Sequence, residues 1–256
     1  MGNRLFALLT ILVMAVSLVV GCQTVPKKTE PTTLEISPTN AEDYNNRGIA
    51  YYSKGQFDLA IADYNKALEI NPMYAEAYNN RGIAYGHKGQ YDQAIADFNK
   101  ALEINPRYAN AYYSRGNAYH LKGQFDLAIV DYNKALEINP RFAEAYNNRG
   151  IAYDSKGQFD QAIADFNKAL EINPRYANAY YNRGIAYYSK GQYDLAIADF
   201  NKALEINPRY AEAYNNRGSA YRSRGQFDQA IADFKKVLEI NPKFLEDLSK
   251  ASGRER

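Results

Sequence analysis

The sequence predicts an all-α solenoid, a stack of six copies of one helical hairpin, and two observations support this. The first is a repeat of 34 residues that recurs six times without an insertion, at 41–74, 75–108, 109–142, 143–176, 177–210 and 211–244. The second is that each copy has two segments with apolar residues at helical spacing, the first ended by a glycine and the second by an Asn-Pro pair. A single hairpin cannot bury its apolar face alone, so the copies must stack.

The fourth copy shows how each element is predicted. Its first helix is expected over 143–156, where Gly157 supplies the left-handed residue that ends it. The second helix is expected to start at Asp160 and to stop at Asn173-Pro174. Gly150 lies inside the first helix, where glycine costs about 1 kcal/mol relative to alanine. A glycine at this place in all six copies predicts close contact between helices.

Every copy also has an arginine at its seventh position and an aspartate sixteen residues later. We expect a salt bridge between the two helices of each hairpin. A row of arginines for an acidic ligand is the alternative, but the matched aspartates cancel the charge. The pairs are Arg47 with Asp63, Arg81 with Asp97, Arg115 with Asp131, Arg149 with Asp165, Arg183 with Asp199 and Arg217 with Asp233.

The first residues have the pattern of a secretory signal, with Arg4, an apolar stretch over Leu5–Val20, then Gly21 and Cys22. As a helix this stretch would span roughly 24 Å, less than the ~30 Å hydrocarbon core of a bilayer. An uncleaved membrane anchor is the alternative. Residues 22–40 are rich in proline and polar residues, so they predict an extended tether.

The sequence Leu18-Val19-Val20-Gly21-Cys22 resembles the lipobox of bacterial lipoproteins. The resemblance implies that residues 1–21 are a cleaved signal peptide and that Cys22 is the lipid attachment site. The protein is then expected in the bacterial cell envelope, held to the membrane by a lipid anchor. Gln23 is not the aspartate that in enteric bacteria retains lipoproteins in the inner membrane, which favours the periplasmic face of the outer membrane.

The repeats resemble the tetratricopeptide repeat family. The resemblance depends on Tyr at the fourth position of each copy, Gly at the eighth, Tyr at the eleventh, Ala at the twentieth, Phe or Tyr at the twenty-fourth and Pro at the thirty-second. The seventh position departs from the family, which usually has leucine there. The resemblance implies a right-handed superhelix whose inner groove is formed by the first helices, at positions two, five, six, nine, twelve and thirteen. These positions are mostly uncharged and polar here.

Position six resembles the asparagine ladder with which some members of the family hold an extended peptide. An amide both donates and accepts, so such a ladder would bind a peptide backbone. The alternative is that asparagine is simply common at this place in such repeats. The predicted ladder is Asn46, Asn80, Ser114, Asn148, Asn182 and Asn216.

Position twelve varies most among the copies, so its residues are expected to distinguish between partners, together with two tyrosines at position five. The candidates are Tyr52, His120, Asp154, Tyr188 and Arg222, with Gly86 in the second copy, and Tyr113 and Tyr181. The carboxylate clamp of chaperone-binding relatives needs lysines at positions two and five and an arginine at six. No copy has them.

Other classes of function fit poorly. A net charge of +2 is too balanced for a nucleic-acid-binding protein. Neither a nucleophile beside a base nor a glycine-rich phosphate loop is evident, so we expect no enzyme, no cofactor and no small-molecule substrate. A metal site formed by His87 and His120 is the weakest alternative, because no third ligand repeats with them.

The sequence therefore predicts a non-catalytic scaffold or adaptor at a membrane, which binds a protein or an extended peptide segment in its groove. The alternative is an assembly factor that escorts an envelope component, as lipid-anchored pilotins do. Residues 245–256 are expected to form a short cap and tail, since Leu245 and Leu248 could cover the last hairpin.

Overall fold

The computed structural model describes residues 38–243, and the predicted signal peptide, most of the tether and the predicted cap lie outside them. Within the described residues the chain forms twelve α-helices and two compact units, residues 38–140 and residues 141–243. The helices of the first unit are α1 Ala41–Ser53, α2 Phe57–Ile70, α3 Ala75–His87, α4 Tyr91–Ile104, α5 Ala109–Leu121 and α6 Phe125–Ile138. Those of the second are α7 Ala143–Ser155, α8 Phe159–Ile172, α9 Ala177–Ser189, α10 Tyr193–Ile206, α11 Ala211–Ser223 and α12 Phe227–Ile240.

The predicted helix boundaries are confirmed to within a residue. In the fourth hairpin α7 ends at Ser155, and Gly157 has a φ of +73°, the left-handed conformation that stops a helix. The second helix begins at Phe159, one residue before the predicted start. It ends before Asn173, whose side-chain Oδ1 accepts a hydrogen bond from the Arg175 backbone N–H at 3.1 Å.

Each hairpin is held together by a small residue set against a ring. A Cβ added to Gly184 would lie 2.7 Å from Phe200, whose ring has no exposed surface. A Cβ added to the equivalent glycine of any other hairpin would lie 2.6 to 2.9 Å from the ring at the twenty-fourth position. Ala196 and Ala203, on the same helix as this ring, are also fully buried. The predicted packing role of the helical glycines is thus confirmed.

Successive hairpins stack in chain order within each unit. The second helix of one hairpin packs against the first helix of the next, as α2 does on α3 and α10 on α11. The predicted salt bridges are confirmed in all six hairpins, where arginine Nε and Nη2 hold both aspartate oxygens at 2.6 to 2.8 Å. The fold is an all-α stack of helical hairpins, as the sequence predicts.

The same arginines also join neighbouring hairpins. Arg183 donates through Nη1 to Oδ1 of Asn167 in the preceding hairpin at 2.5 Å, and Arg217 donates in the same way to Asn201 at 2.6 Å. Arg81 and Arg115 make the equivalent bonds in the first unit. One guanidinium therefore fixes both the fold of its own hairpin and the position of the one before it.

Candidate peptide-binding face

The candidate site is the face formed by the first helices, which we call the first-helix face. It consists of the side chains at positions two, five, six, nine, twelve and thirteen of each hairpin. In the first unit α1 contacts α3 and α3 contacts α5, and in the second unit α7 contacts α9 and α9 contacts α11. The side chains at these positions therefore form a continuous row within each unit.

The predicted asparagine ladder is joined from hairpin to hairpin. Asn80 donates through Nδ2 to Oδ1 of Asn45 at 3.1 Å in the first unit. In the second unit Asn182 donates to Oδ1 of Asn147 at 3.0 Å, thirty-five residues earlier. An amide has two N–H donors and an acceptor oxygen, so one such bond leaves capacity for a ligand. The bonds also fix the orientation of each amide.

The rungs of the ladder differ in exposure. Asn46 is exposed, whereas Asn80, Ser114 and Asn182 are half-buried. Asn148 and Asn216 are buried, contrary to the expectation that the whole row faces a ligand. The reason in the last hairpin is that Asn216 Nδ2 donates to the hydroxyl of Tyr181 at 2.9 Å, which draws the amide into the packing.

The two tyrosines at position five lie in the packing of their hairpins. Tyr181 is 1% exposed, and its ring centroid lies 4.8 Å from that of Tyr210 and 6.0 Å from that of Phe200. Tyr113 is also buried, 6.1 Å from the ring of Tyr132. Both residues were expected to contact a ligand. Their burial gives them instead the role of supports behind the face.

The two tyrosines at position twelve contact the following hairpin. The Tyr52 hydroxyl is 2.5 Å from Nε2 of His87, and the Tyr188 hydroxyl is 3.3 Å from Oγ of Ser223. Both tyrosines are half-buried, whereas Arg222 is exposed at the end of the row. The predicted specificity residues Tyr52, Tyr188 and Arg222 thus lie at the surface of the first-helix face.

Two titratable groups at position twelve are shifted by burial. Burial lowers the pKa of His120 to about 4, so its imidazole is neutral at pH 7. Burial raises the pKa of Asp154 to about 7, so this carboxyl is partly protonated at neutral pH. Nδ1 of His120 and Oδ1 of Asp154 have no hydrogen-bond partner among the described residues. Both side chains therefore contribute less charge than their residue types suggest.

Glutamates at position two make the face more acidic than the mostly uncharged surface that the sequence predicts. Glu42 and Glu76 are exposed in the first unit, and Glu144 and Glu212 are half-buried in the second. These carboxylates stand in the first turn of their helices, where the helix dipole favours negative charge. They give one edge of the first-helix face a negative charge that the amides beside them lack.

The histidine pair considered as a metal site has other contacts. The His87 ring lies 5.0 Å from the centroids of both Tyr52 and Phe57, and His120 lies 5.1 Å from Phe125. Residues 38–243 contain no cluster of three or more His, Cys, Asp or Glu that could hold a metal ion.

The same part of the chain has no helix long and apolar enough to cross a membrane. Cys22, the predicted lipid attachment site, lies outside the described residues.

Family models match the chain along residues 48–244. A tetratricopeptide repeat model matches residues 75–108, 143–176, 177–210 and 211–244, a TPR repeat model matches residues 48–89 and 116–154, and a further tetratricopeptide repeat model matches residues 98–130. This chain belongs to the tetratricopeptide repeat family. No curated protein matches the sequence.

Solved structures of the same fold are numerous. The chain is 33% identical to MamA over 64% of its own length and 96% of that chain, with a TM-score of 0.59. It is 26% identical to YrrB, described as a TPR protein with an unusual peptide-binding site, over 75% of this chain and 97% of that one, with a TM-score of 0.58. PilW, a type IV pilus biogenesis factor, is 21% identical over 84% of this chain and 99% of that one, with a TM-score of 0.75, and shows the shared fold.

The bonds that cross from one hairpin to the next were not found by sequence reasoning. Asn45 and Asn147 accept from the ladder, and Asn167 accepts from an arginine, yet neither role was assigned. The available signal was the recurrence of asparagine at positions five and twenty-five. The role of these asparagines depends on contacts between residues that are thirty-five or sixteen positions apart in sequence. Helical periodicity does not predict such contacts.

Proposed function

We propose that this protein is a non-catalytic scaffold, tethered to a membrane, that binds an extended segment of a partner protein on its first-helix face. The observation that supports it most is the pair of position-six amides, Asn80 and Asn182, which are half-buried on the first-helix face and donate to buried amides at position five of the preceding hairpin. These amides are oriented by bonds between hairpins before any ligand arrives, so they lose little conformational entropy on binding.

The chemistry of the face fits a backbone ligand better than a charged or apolar one. The amides at positions five and six are flanked by glutamates at position two and by rings at position twelve. Amides bond to peptide N–H and C=O groups whatever the side chains, while the rings and carboxylates can select among side chains. YrrB, whose peptide-binding site is noted above, supports this use of the fold. The membrane tether rests on the sequence pattern around Cys22.

Photo-crosslinking in the native cell tests the proposal. A photoreactive phenylalanine analogue is placed at Asn46 or Arg222, both exposed on the first-helix face, and at Lys66 or Lys202 as controls. The control lysines are exposed on second helices, where each makes only a surface pair with a glutamate three residues on. We expect adducts with a partner protein from the first pair of positions and not from the second.

The number and identity of the adducts also distinguish an adaptor from an assembly factor, the two functions that the sequence predicts. A series of different adducts from Asn46 and Arg222 indicates an adaptor with several partners. A single envelope component indicates an assembly factor. Adducts that arise only from Lys66 and Lys202 would show that partners bind the second-helix surface, and the proposal would then be wrong.

A further inference from the structure

The glycine at position twelve of the second hairpin differs from the other glycines inside helices. Gly86 lies within α3, where glycine costs about 1 kcal/mol relative to alanine. The glycines at position eight are required because an added Cβ would collide with a ring. A Cβ added to Gly86 meets nothing within 4 Å in the described part of the chain. Packing therefore gives no reason for this glycine.

Other hairpins place a ring where Gly86 has none. In three of them the ring at position twelve packs on the ring at position seventeen. Tyr52 lies 5.6 Å from Phe57, His120 lies 5.1 Å from Phe125, and in the second unit Tyr188 lies 5.3 Å from Tyr193 between ring centroids. The second hairpin keeps the lower ring, Tyr91, but Gly86 leaves its upper side without the partner ring.

We propose that this vacancy above Tyr91 is a binding subsite for an aromatic side chain of the partner segment. The proposal rests on the proposed function, since the vacancy opens on the first-helix face beside the amide row. An incoming ring would take the place that Tyr52 and Tyr188 fill in their own hairpins. It would gain the same offset or tilted ring contact, which is favourable because ring edges are positive and ring faces negative.

The residue that the tip of the incoming ring would contact indicates which aromatic side chain the subsite prefers. Each tyrosine hydroxyl at position twelve reaches the residue thirty-five positions later, from Tyr52 to His87 and from Tyr188 to Ser223. The residue thirty-five positions after Gly86 is Leu121. Leucine offers no hydrogen bond, so a tyrosine hydroxyl at this place would lack the side-chain partner that Tyr52 and Tyr188 have in their own hairpins. The subsite therefore favours phenylalanine over tyrosine.

Small amides with and without an aromatic ring test the subsite without the partner. N-acetyl-L-phenylalaninamide, N-acetyl-L-tyrosinamide and N-acetylglycinamide are titrated into the full-length chain, and the backbone amide resonance of Gly86 is followed by NMR. We expect weak, saturable binding of the phenylalanine probe, about tenfold weaker binding of the tyrosine probe and no saturable shift with the glycine probe.

Three variants make the assignment specific. Gly86→Phe fills the vacancy from within and should abolish binding of the phenylalanine probe, while Gly86→Ala adds only a methyl group and should keep it within about threefold. Leu121→Ser supplies a hydroxyl like that of Ser223 and should raise affinity for the tyrosine probe. Thermal unfolding of each variant confirms that it is folded, and rings at Tyr52 and Tyr188 show that the position tolerates them.

The outcomes separate this subsite from the proposed function. No saturable shift at Gly86, or equal binding by Gly86→Phe and the wild type, would overturn the subsite even if crosslinks map the partner to the first-helix face. Probe binding that Gly86→Phe abolishes, together with crosslinks from the second helices alone, would leave the subsite standing and remove the proposed function.

Discussion

At the scale of single residues, the arginine at position seven bonds to side chains of two successive hairpins. Arg183 holds both oxygens of Asp199, donates to Asn167 and lies 5.5 Å from the ring centroid of Tyr180. Asp199 is buried, and burial raises its pKa although the guanidinium opposes the shift. The carboxylate therefore depends on its partner to stay charged.

Arg183→Leu is expected to destabilise the protein by about 1 to 3 kcal/mol, because it leaves the buried Asp199 unpaired. Adding Asp199→Leu should recover much of this loss, since two apolar residues can replace a buried pair. Urea unfolding measures both effects as changes in midpoint at constant slope. Losses that simply add in the double variant would show that the two residues are not energetically coupled.

The exposed pair Lys202 and Glu205 provides the control for this cycle. Its side chains are 55% and 61% exposed, and the pair lies on one face of α10 at 2.8 Å. Lys202→Ala should change stability by no more than about 0.5 kcal/mol. The loss of stability in Arg183→Leu, compared with that in Lys202→Ala, separates the effect of removing a buried cation from that of removing an exposed one.

At the scale of elements, the hairpin is set by one glycine and one ring. The helix at Gly184 approaches Phe200 so closely that any side chain displaces a ring buried on all sides. This cost exceeds the intrinsic helix penalty of glycine, which explains why a poor helix former recurs six times.

Gly184→Ala and Gly86→Ala are a matched pair of variants that tests whether contact with a ring requires the glycine. Both replace a glycine inside a first helix, so both gain about 0.5 to 1 kcal/mol of helix propensity. Overpacking against Phe200 should make Gly184→Ala destabilising by about 1 to 3 kcal/mol overall, whereas Gly86→Ala should be stabilising. Thermal unfolding compares the two. A stabilised Gly184→Ala would show that the ring can move away at little cost.

The hairpins were predictable from sequence because their determinants are local. Gly157 and Pro174 end helices by backbone geometry, and the pairing of Arg149 with Asp165 repeats at a fixed spacing. The exposure of the candidate site was less predictable. Asn216 has the same residue type and repeat position as Asn46, yet one is buried and the other exposed. Asn216 donates to Tyr181 of the preceding hairpin, whereas Asn46 lies in the first hairpin of the described residues, and only three-dimensional packing shows which neighbour each amide meets.

At the scale of the whole molecule, the proposed scaffold depends on where the chain is anchored. Residues 23–40 could reach about 60 Å when fully extended, enough to hold the repeats away from a lipid surface. The predicted anchor at Cys22 and this tether fall before the described residues or at their edge. Attachment therefore remains a prediction from the lipobox-like sequence.

Cys22→Ala is expected to stop lipid attachment and to leave the chain at its precursor mass, because no other cysteine can accept the lipid. Membrane flotation and mass spectrometry of the intact protein measure the two effects. Gln23→Asp is the matched control, which should keep the lipid but move the protein toward the inner membrane in an enteric host. If the wild type itself keeps residues 1–21 and floats with membranes, that segment acts as an uncleaved anchor. If the wild type carries no lipid on Cys22, the lipoprotein assignment fails.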